Sequence, residues 1–173
     1  MKKILFLGLL IPIFFSACST VQSIIKSNLP YTASITAPAT QSVNTPFTAT
    51  SLATSFDQIL GNKNGAQLVK DVRVVSATLT AINPVSHNLG VLKSVKLFIG
   101  NGDNEILVAT RNDIGANIGS QLVLDVDNSK FIDTYIKSNS VRIRIEYTLS
   151  KALDVDVSMR VAIGLNTTPL TNQ

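Results

Sequence analysis

The last third of the chain alternates between apolar and polar residues. Val141, Ile143, Ile145, Tyr147 and Leu149 are separated by Arg142, Arg144, Glu146 and Thr148, and Val155, Val157, Met159, Val161 and Ile163 by Asp156, Ser158, Arg160 and Ala162. A period of two places every second side chain on one face of a strand, whereas a helix with 3.6 residues per turn would scatter the same residues around its circumference. Each segment therefore reads as a strand with one dry and one wet face, as in an antiparallel sandwich. If the two strands pair, their dry faces must coincide, so opposed residue numbers sum to an even value. A sum of 304 sets Arg144 against Arg160, and a sum of 306 sets Glu146 against Arg160. Opposite charges across a strand pair are favourable, so the sequence predicts the second register.

The same signal recurs upstream. Tyr31, Ala33, Ile35 and Ala37 alternate with Thr32, Ser34 and Thr36, and the Thr-rich stretch from Phe47 to Ser55 reads as a second strand at an edge. Ser55 is a candidate cap for a short helical turn, Phe56 to Leu60, before the loop from Gly61 to Gly65. From Val72 to Ile82, Val72 and Val74 share one phase while Val75, Ala77, Leu79 and Ala81 share the other. That shift predicts a β-bulge at Val74-Val75, and Asn83-Pro84 ends the strand. Val91, Val95, Leu97 and Ile99 form the next apolar row, interrupted by Lys93. Gly100 to Asn104 is a hairpin turn leading into a partner strand, Glu105 to Arg111. Gln121 to Val126 points Leu122, Leu124 and Val126 inward. Between Lys130 and Lys137, Phe131, Ile132, Tyr135 and Ile136 switch to helical spacing, with Asp127, Asn128 or Ser129 as the cap.

Seven or eight short strands with turns at this spacing define an all-β chain, an immunoglobulin-like antiparallel β-sandwich with one short helix near residues 130–137. The 173 residues hold one cysteine and no tryptophan, so the fold rests on its core rather than on disulfides. The formal net charge is only +4, and Lys2 and Lys3 supply half of it. Such a balance does not provide the clustered basic surface that nucleic acid requires.

That lone cysteine, Cys18, lies at an informative place. Lys2 and Lys3 precede an uncharged apolar run from Ile4 to Phe15, and the small residues Ser16 and Ala17 lead directly to Cys18. The run is too short for a membrane-spanning helix of about 20 residues, and its layout is that of a secretory signal. The segment resembles a bacterial lipoprotein signal peptide, with Phe15 where a leucine is usual. The resemblance implies cleavage before Cys18 and attachment of a diacylglycerol to its sulfur. Ser19, rather than aspartate, after the cysteine implies an outer-membrane lipoprotein, and the absence of an acidic run favours the periplasmic face. The expected organisation is a signal at 1–17, a tether at 18–30, a sandwich domain at 31–165 and a C-terminal tail at 166–173.

From Val69 to Ile163, the Val75-Ser76-Ala77-Thr78-Leu79-Thr80 strand, the Leu92-Lys93-Ser94-Val95 strand, the Phe131 to Lys137 turn and the final pair of strands resemble small immunoglobulin-like sandwich lipoproteins of the Bacteroidota. The resemblance is structural and implies no catalytic residue.

Searches for chemistry return little. Ser23-Ile24-Ile25-Lys26 matches the S-x-x-K string of serine acyl-enzymes without its companion elements. Gly100-Asn101-Gly102 begins a dinucleotide pattern that Glu105 breaks. Asp125, Asp127 and Ser129 have the spacing of half a calcium loop, but Lys130 and Ile136 occupy its glycine and glutamate positions. Asp103 and Glu105 read as a solvated hairpin. His87 is the single histidine and lacks the companions of a metal site or a triad. Lys93, Lys96, Arg142, Arg144 and Arg160 form a candidate basic strip, with Arg142 and Arg144 the best candidates for contact with an acidic partner.

The function expected from these features is a non-enzymatic, lipid-anchored interaction or structural module of the cell envelope, without a cofactor. Its partners would be the membrane and an envelope protein or polymer. The alternatives are a lipid or glycan carrier, with a pocket between the sheets or among the Asn83–Gly90 and Arg111–Ser120 loops, and, last, an envelope hydrolase.

Overall fold

The structure, a computed structural model, describes residues 29–170 except 53, 56, 58–63, 102, 103 and 139. Cys18, the Ser23/Lys26 string and, but for Asp57, the Phe56 to Leu60 turn lie outside the described residues.

Nine strands form: β1 (Leu29–Ala37), β2 (Pro46–Thr50), β3 (Val69–Asn83), β4 (Leu92–Asn101), β5 (Asn104–Arg111), β6 (Gln121–Val123), β7 (Asp125–Val126), β8 (Val141–Leu149) and β9 (Val157–Pro169). One helical turn, α1 (Asp133–Ile136), stands between β7 and β8. The order β1-β9-β3-β6 makes a four-stranded sheet and β2-β8-β4-β5-β7 a five-stranded one. Every ladder is antiparallel. The architecture is the expected all-β antiparallel sandwich, with nine strands rather than seven or eight.

The alternation explains the core. In β8, Val141, Ile143, Ile145, Tyr147 and Leu149 are all buried, as are Val157, Met159, Val161, Ile163 and Leu165 in β9. Each such aliphatic side chain contributes about 1.5–3 kcal/mol by leaving water. Opposite them, Leu97 and Ile99 of β4 pair with Ile145 and Ile143, and Tyr31 and Ile35 of β1 pair with Ile163 and Met159.

The β8–β9 register predicted from the sequence is incorrect, because the two strands do not pair. They lie in different sheets, and their dry faces meet across the core. The intervening segment, 150–156, is longer than a tight hairpin loop and buries Leu153, so it arches from one sheet to the other. Glu146 pairs with Thr48 and Lys96, and Arg160 with Ser34 and Thr80. Val155, expected in the apolar row, is exposed and precedes the strand. The strand also runs beyond residue 165 to Pro169, which pairs with Val69, so the first half of the expected tail, residues 166–169, belongs to the sheet.

The bulge at Val74-Val75 is present as a register shift between Val74 and Ser76. It ejects Val75 into solvent and returns Ala77 to the same core as Val74, so only Val75 leaves the apolar row. The interruption at Lys93 is likewise a register shift, between Leu92 and Ser94. The segment from Gln121 to Val126 is split at Leu124: β6 joins one sheet and β7 the other, while Leu122 and Leu124 stay buried.

The helix near 130–137 shortens to one turn. Ile132 and Ile136 are buried, but Phe131 is exposed. None of the three expected residues caps it; its N-cap is Ile132, without a side-chain hydrogen bond. The Asp127 carboxylate instead accepts hydrogen bonds from the backbone and hydroxyl of Ser129.

Candidate functional site

The outer face of the five-stranded sheet carries most of the candidate basic strip. Alternation along β8 points Arg142 and Arg144 outward, and the β4 pairing sets Gly100 beside Arg142 and Phe98 beside Arg144. The Arg144 guanidinium lies 4.0 Å from the centre of the Phe98 ring and makes a two-pronged ion pair with Glu105, with Nε donating at 2.7 Å. That bond holds the Glu105 carboxyl below its ordinary range. Glu105 is thus more than a solvated hairpin residue. Lys96 Nζ meets the Glu146 carboxylate at 2.6 Å. The Lys93 ammonium donates to the Asn44 side chain. Arg142 is exposed, with no side-chain partner among the described residues. Arg160 does not belong to this strip, because β9 carries it on the opposite sheet.

The half calcium loop is also split. Asp125 pairs with Arg111 at 3.1 Å and Asp127 with Lys130 at 3.0 Å. Among the described residues, no group of three or more His, Cys, Asp or Glu side chains stands where a metal ion could be held.

The Asn83–Gly90 and Arg111–Ser120 loops were candidates for the mouth of a ligand pocket. They are stapled together by Asn88. Its amide donates to the Ala116 carbonyl at 2.6 Å, while its oxygen accepts from Gly90 N at 3.0 Å and Gly119 N at 3.1 Å. Leu89 N donates to the Gly119 carbonyl at 2.8 Å. Gly90 sits so close that a Cβ there would overlap the Ala116 carbonyl oxygen. At this point the two loops are in direct contact. His87 lies in the first of them, half-buried, and its Nε2 is enclosed without a hydrogen-bond partner among the described residues.

A groove that the sequence did not single out opens on the other sheet. Between Lys70 and Arg73, β3 has two residues where β9 has one, and a second extra residue, Val75, follows Val74. Residues bulged out of a ladder re-aim their side chains and backbone. Val72 turns its backbone away from β9: its N–H donates to the Asp133 carboxylate at 3.1 Å, and its carbonyl accepts from Ile132 N at 2.9 Å. Asp71 is held at φ 54°. Asp71, Arg73 and Val75 then line a groove of about 300 Å³ together with Asn128 and the β9 residues Asn166 and Thr168. The Arg73 guanidinium rests 4.1 Å from the centre of the Phe131 ring. Beyond the groove, the same outer face presents Thr32, Ser34 and Thr36 from β1 and Thr78 and Thr80 from β3. The bulge at Val75 appears in the sequence as a phase shift, and the second bulge at Asp71-Val72 has one as well, since Val69 and Val72 are both buried yet three residues apart.

No protein-family model matches the chain, and no curated protein matches it in sequence. Among solved structures, the chain is similar to an empty head of turnip yellow mosaic virus at TM-score 0.28 and 8% identity, over 99% of this chain and 93% of that one. It is also similar to desmodium yellow mottle tymovirus at TM-score 0.27 and 10% identity, over 97% and 98%. Likeness at that level carries no argument about what this chain does.

Proposed function

We propose that the chain is a non-enzymatic interaction module of the bacterial cell envelope, held to the outer membrane by a lipid on Cys18 and facing the periplasm. The observation that carries this reading is the position of the only cysteine, directly after Ser16-Ala17 at the end of an apolar run headed by Lys2 and Lys3. Two or more acyl chains suffice for stable attachment, at about 0.8 kcal/mol per buried methylene. The tether from Cys18 joins β1 at Leu29, an edge strand, so the domain would hang from one margin of its four-stranded sheet. Tethering raises the local concentration of the domain at the membrane and so favours partners fixed in the same envelope. The non-enzymatic reading is supported by the ion pairs Lys96–Glu146, Arg111–Asp125 and Arg144–Glu105, which spread over the five-stranded sheet instead of converging.

Metabolic labelling with palmitate tests the anchor. Label should enter the full chain, remain in the membrane fraction and vanish in Cys18→Ala. Labelling that survives this substitution, or a chain recovered entirely in the soluble fraction, refutes the reading.

A further inference from the structure

We propose that the groove between β3 and β9 is a saccharide site, taking a pyranose unit of a glycan chain, so that the envelope partner of the module is a polysaccharide. This rests on the reading of the chain as an interaction module, though not on its lipid.

The chemistry of the lining supports the assignment. Asp71, Arg73, Asn128 and Asn166 are planar polar groups, and each can engage two neighbouring hydroxyls at once. Among the described residues, the side chains of Asp71, Asn128, Asn166 and Thr168, which line the groove, have no hydrogen-bond or ionic partner and are free to engage a ligand. Arg73 has no carboxylate within ion-pair distance among those residues. Its stacking on Phe131 instead fixes the guanidinium plane before any ligand arrives. One acid and one base leave the lining formally neutral. A polyphosphate or acidic peptide would demand an excess of cations, and a divalent ion would demand more carboxylates. A neutral sugar needs donors and acceptors in near-equal number, plus an apolar surface for its C–H face, which Val75 supplies.

The backbone points the same way. Asp71 is a non-glycine residue in the left-handed region, and its carboxylate makes no local hydrogen bond in return. Strain held in this way accumulates where a side chain must be aimed. A volume of about 300 Å³ lies at the small end of pockets that hold organic ligands, which suits one sugar ring with its chain running on across the hydroxyl-rich face.

The test is an NMR titration of the full chain in a zwitterionic detergent, since glycoside detergents would compete. The probes are soluble hexamers of β-1,4-glucose and of β-1,4-N-acetylglucosamine, with a uronic acid hexamer and a neutral hexapeptide as arms that should not bind. At least one neutral saccharide should give saturable shifts at the Asn128 and Asn166 side-chain amides and at Arg73 Nε–H, and the responding hexamer identifies the class of glycan. Asn166→Ala and Arg73→Gln should each weaken binding about tenfold with the rest of the spectrum unchanged. Absence of saturable shifts with both neutral saccharides, binding that survives both substitutions, or a response to the uronic acid or the peptide alone overturns the proposal. The two readings fail separately. A chain that takes palmitate but shows no shift loses the groove, and one that binds sugar without taking palmitate loses the anchor.

Discussion

Replacing Asn88 by alanine should loosen the end of the sandwich where the chain enters β4. Asn88 satisfies Gly90 N, Gly119 N and the Ala116 carbonyl at once. Gly90 is buried, and without the Asn88 oxygen its N–H loses the acceptor that satisfies it. An unsatisfied buried donor costs about 1–3 kcal/mol. The bonds to Gly119 and Ala116 lie at exposed positions, where water can replace them, and they add only a few tenths of a kcal/mol. The expected loss is therefore about 2 kcal/mol, read as a fall in Tm of about 6 °C for a domain of this size. Asn88→Asp keeps the acceptor and gives up only the donor to Ala116, so its loss should stay near 0.5 kcal/mol. Urea unfolding with an unchanged m-value measures both, and amide exchange at Gly90 should accelerate in the alanine variant alone. Equal losses for the two variants, or an alanine cost below about 0.5 kcal/mol, would refute the staple.

Further outcomes follow from the same structure. Val74→Ala should cost about 2–3 kcal/mol and Val75→Ala less than about 0.5, because the bulge buries the first and exposes the second; a thermal melt of each variant checks this. Gly90→Ala should destabilise by more than about 1 kcal/mol, since its Cβ meets the Ala116 backbone; unfolding indistinguishable from wild type would mean that the loops can part. The Arg144 hydrogen bond lowers the Glu105 carboxyl, so as pH falls the unfolded chain takes up the proton first. The pair's contribution is then full above the ordinary carboxylate value and is lost as pH drops through the depressed one. Because the pair is exposed, it is worth no more than about 1 kcal/mol, and the gap between wild type and Glu105→Gln in urea unfolding should close in acid. In Tyr31 and Tyr147, burial holds the phenol above its ordinary 10.0. Stability should therefore decline as pH rises through the ordinary value, and absorbance titration should show both groups ionising late.

Some elements were legible from residue order and others were not, for physical reasons. The dry faces of β8 and β9 could be read directly, because alternation in a half-buried strand is a property of the strand alone. The pairing of these strands could not, because two strands facing each other across a core show the same alternation as two lying side by side. The Phe131, Ile132, Tyr135, Ile136 pattern matched a helix, but only Ile132 and Ile136 reach the core; Phe131 lies outside under Arg73. Arg144 was visible as an outward charge, while its clasp by Glu105 depended on the β4–β5 hairpin bringing that carboxylate alongside.

Residue order by itself determined an all-β chain, the inward set of most strands and one bulge, since each of these is encoded within a few neighbouring positions. The tertiary structure decided which sheet each strand joined, the staple at Asn88 and the groove at Asp71 and Arg73. Those features bring together residues far apart in the chain, and their energies depend on distances that no local pattern records.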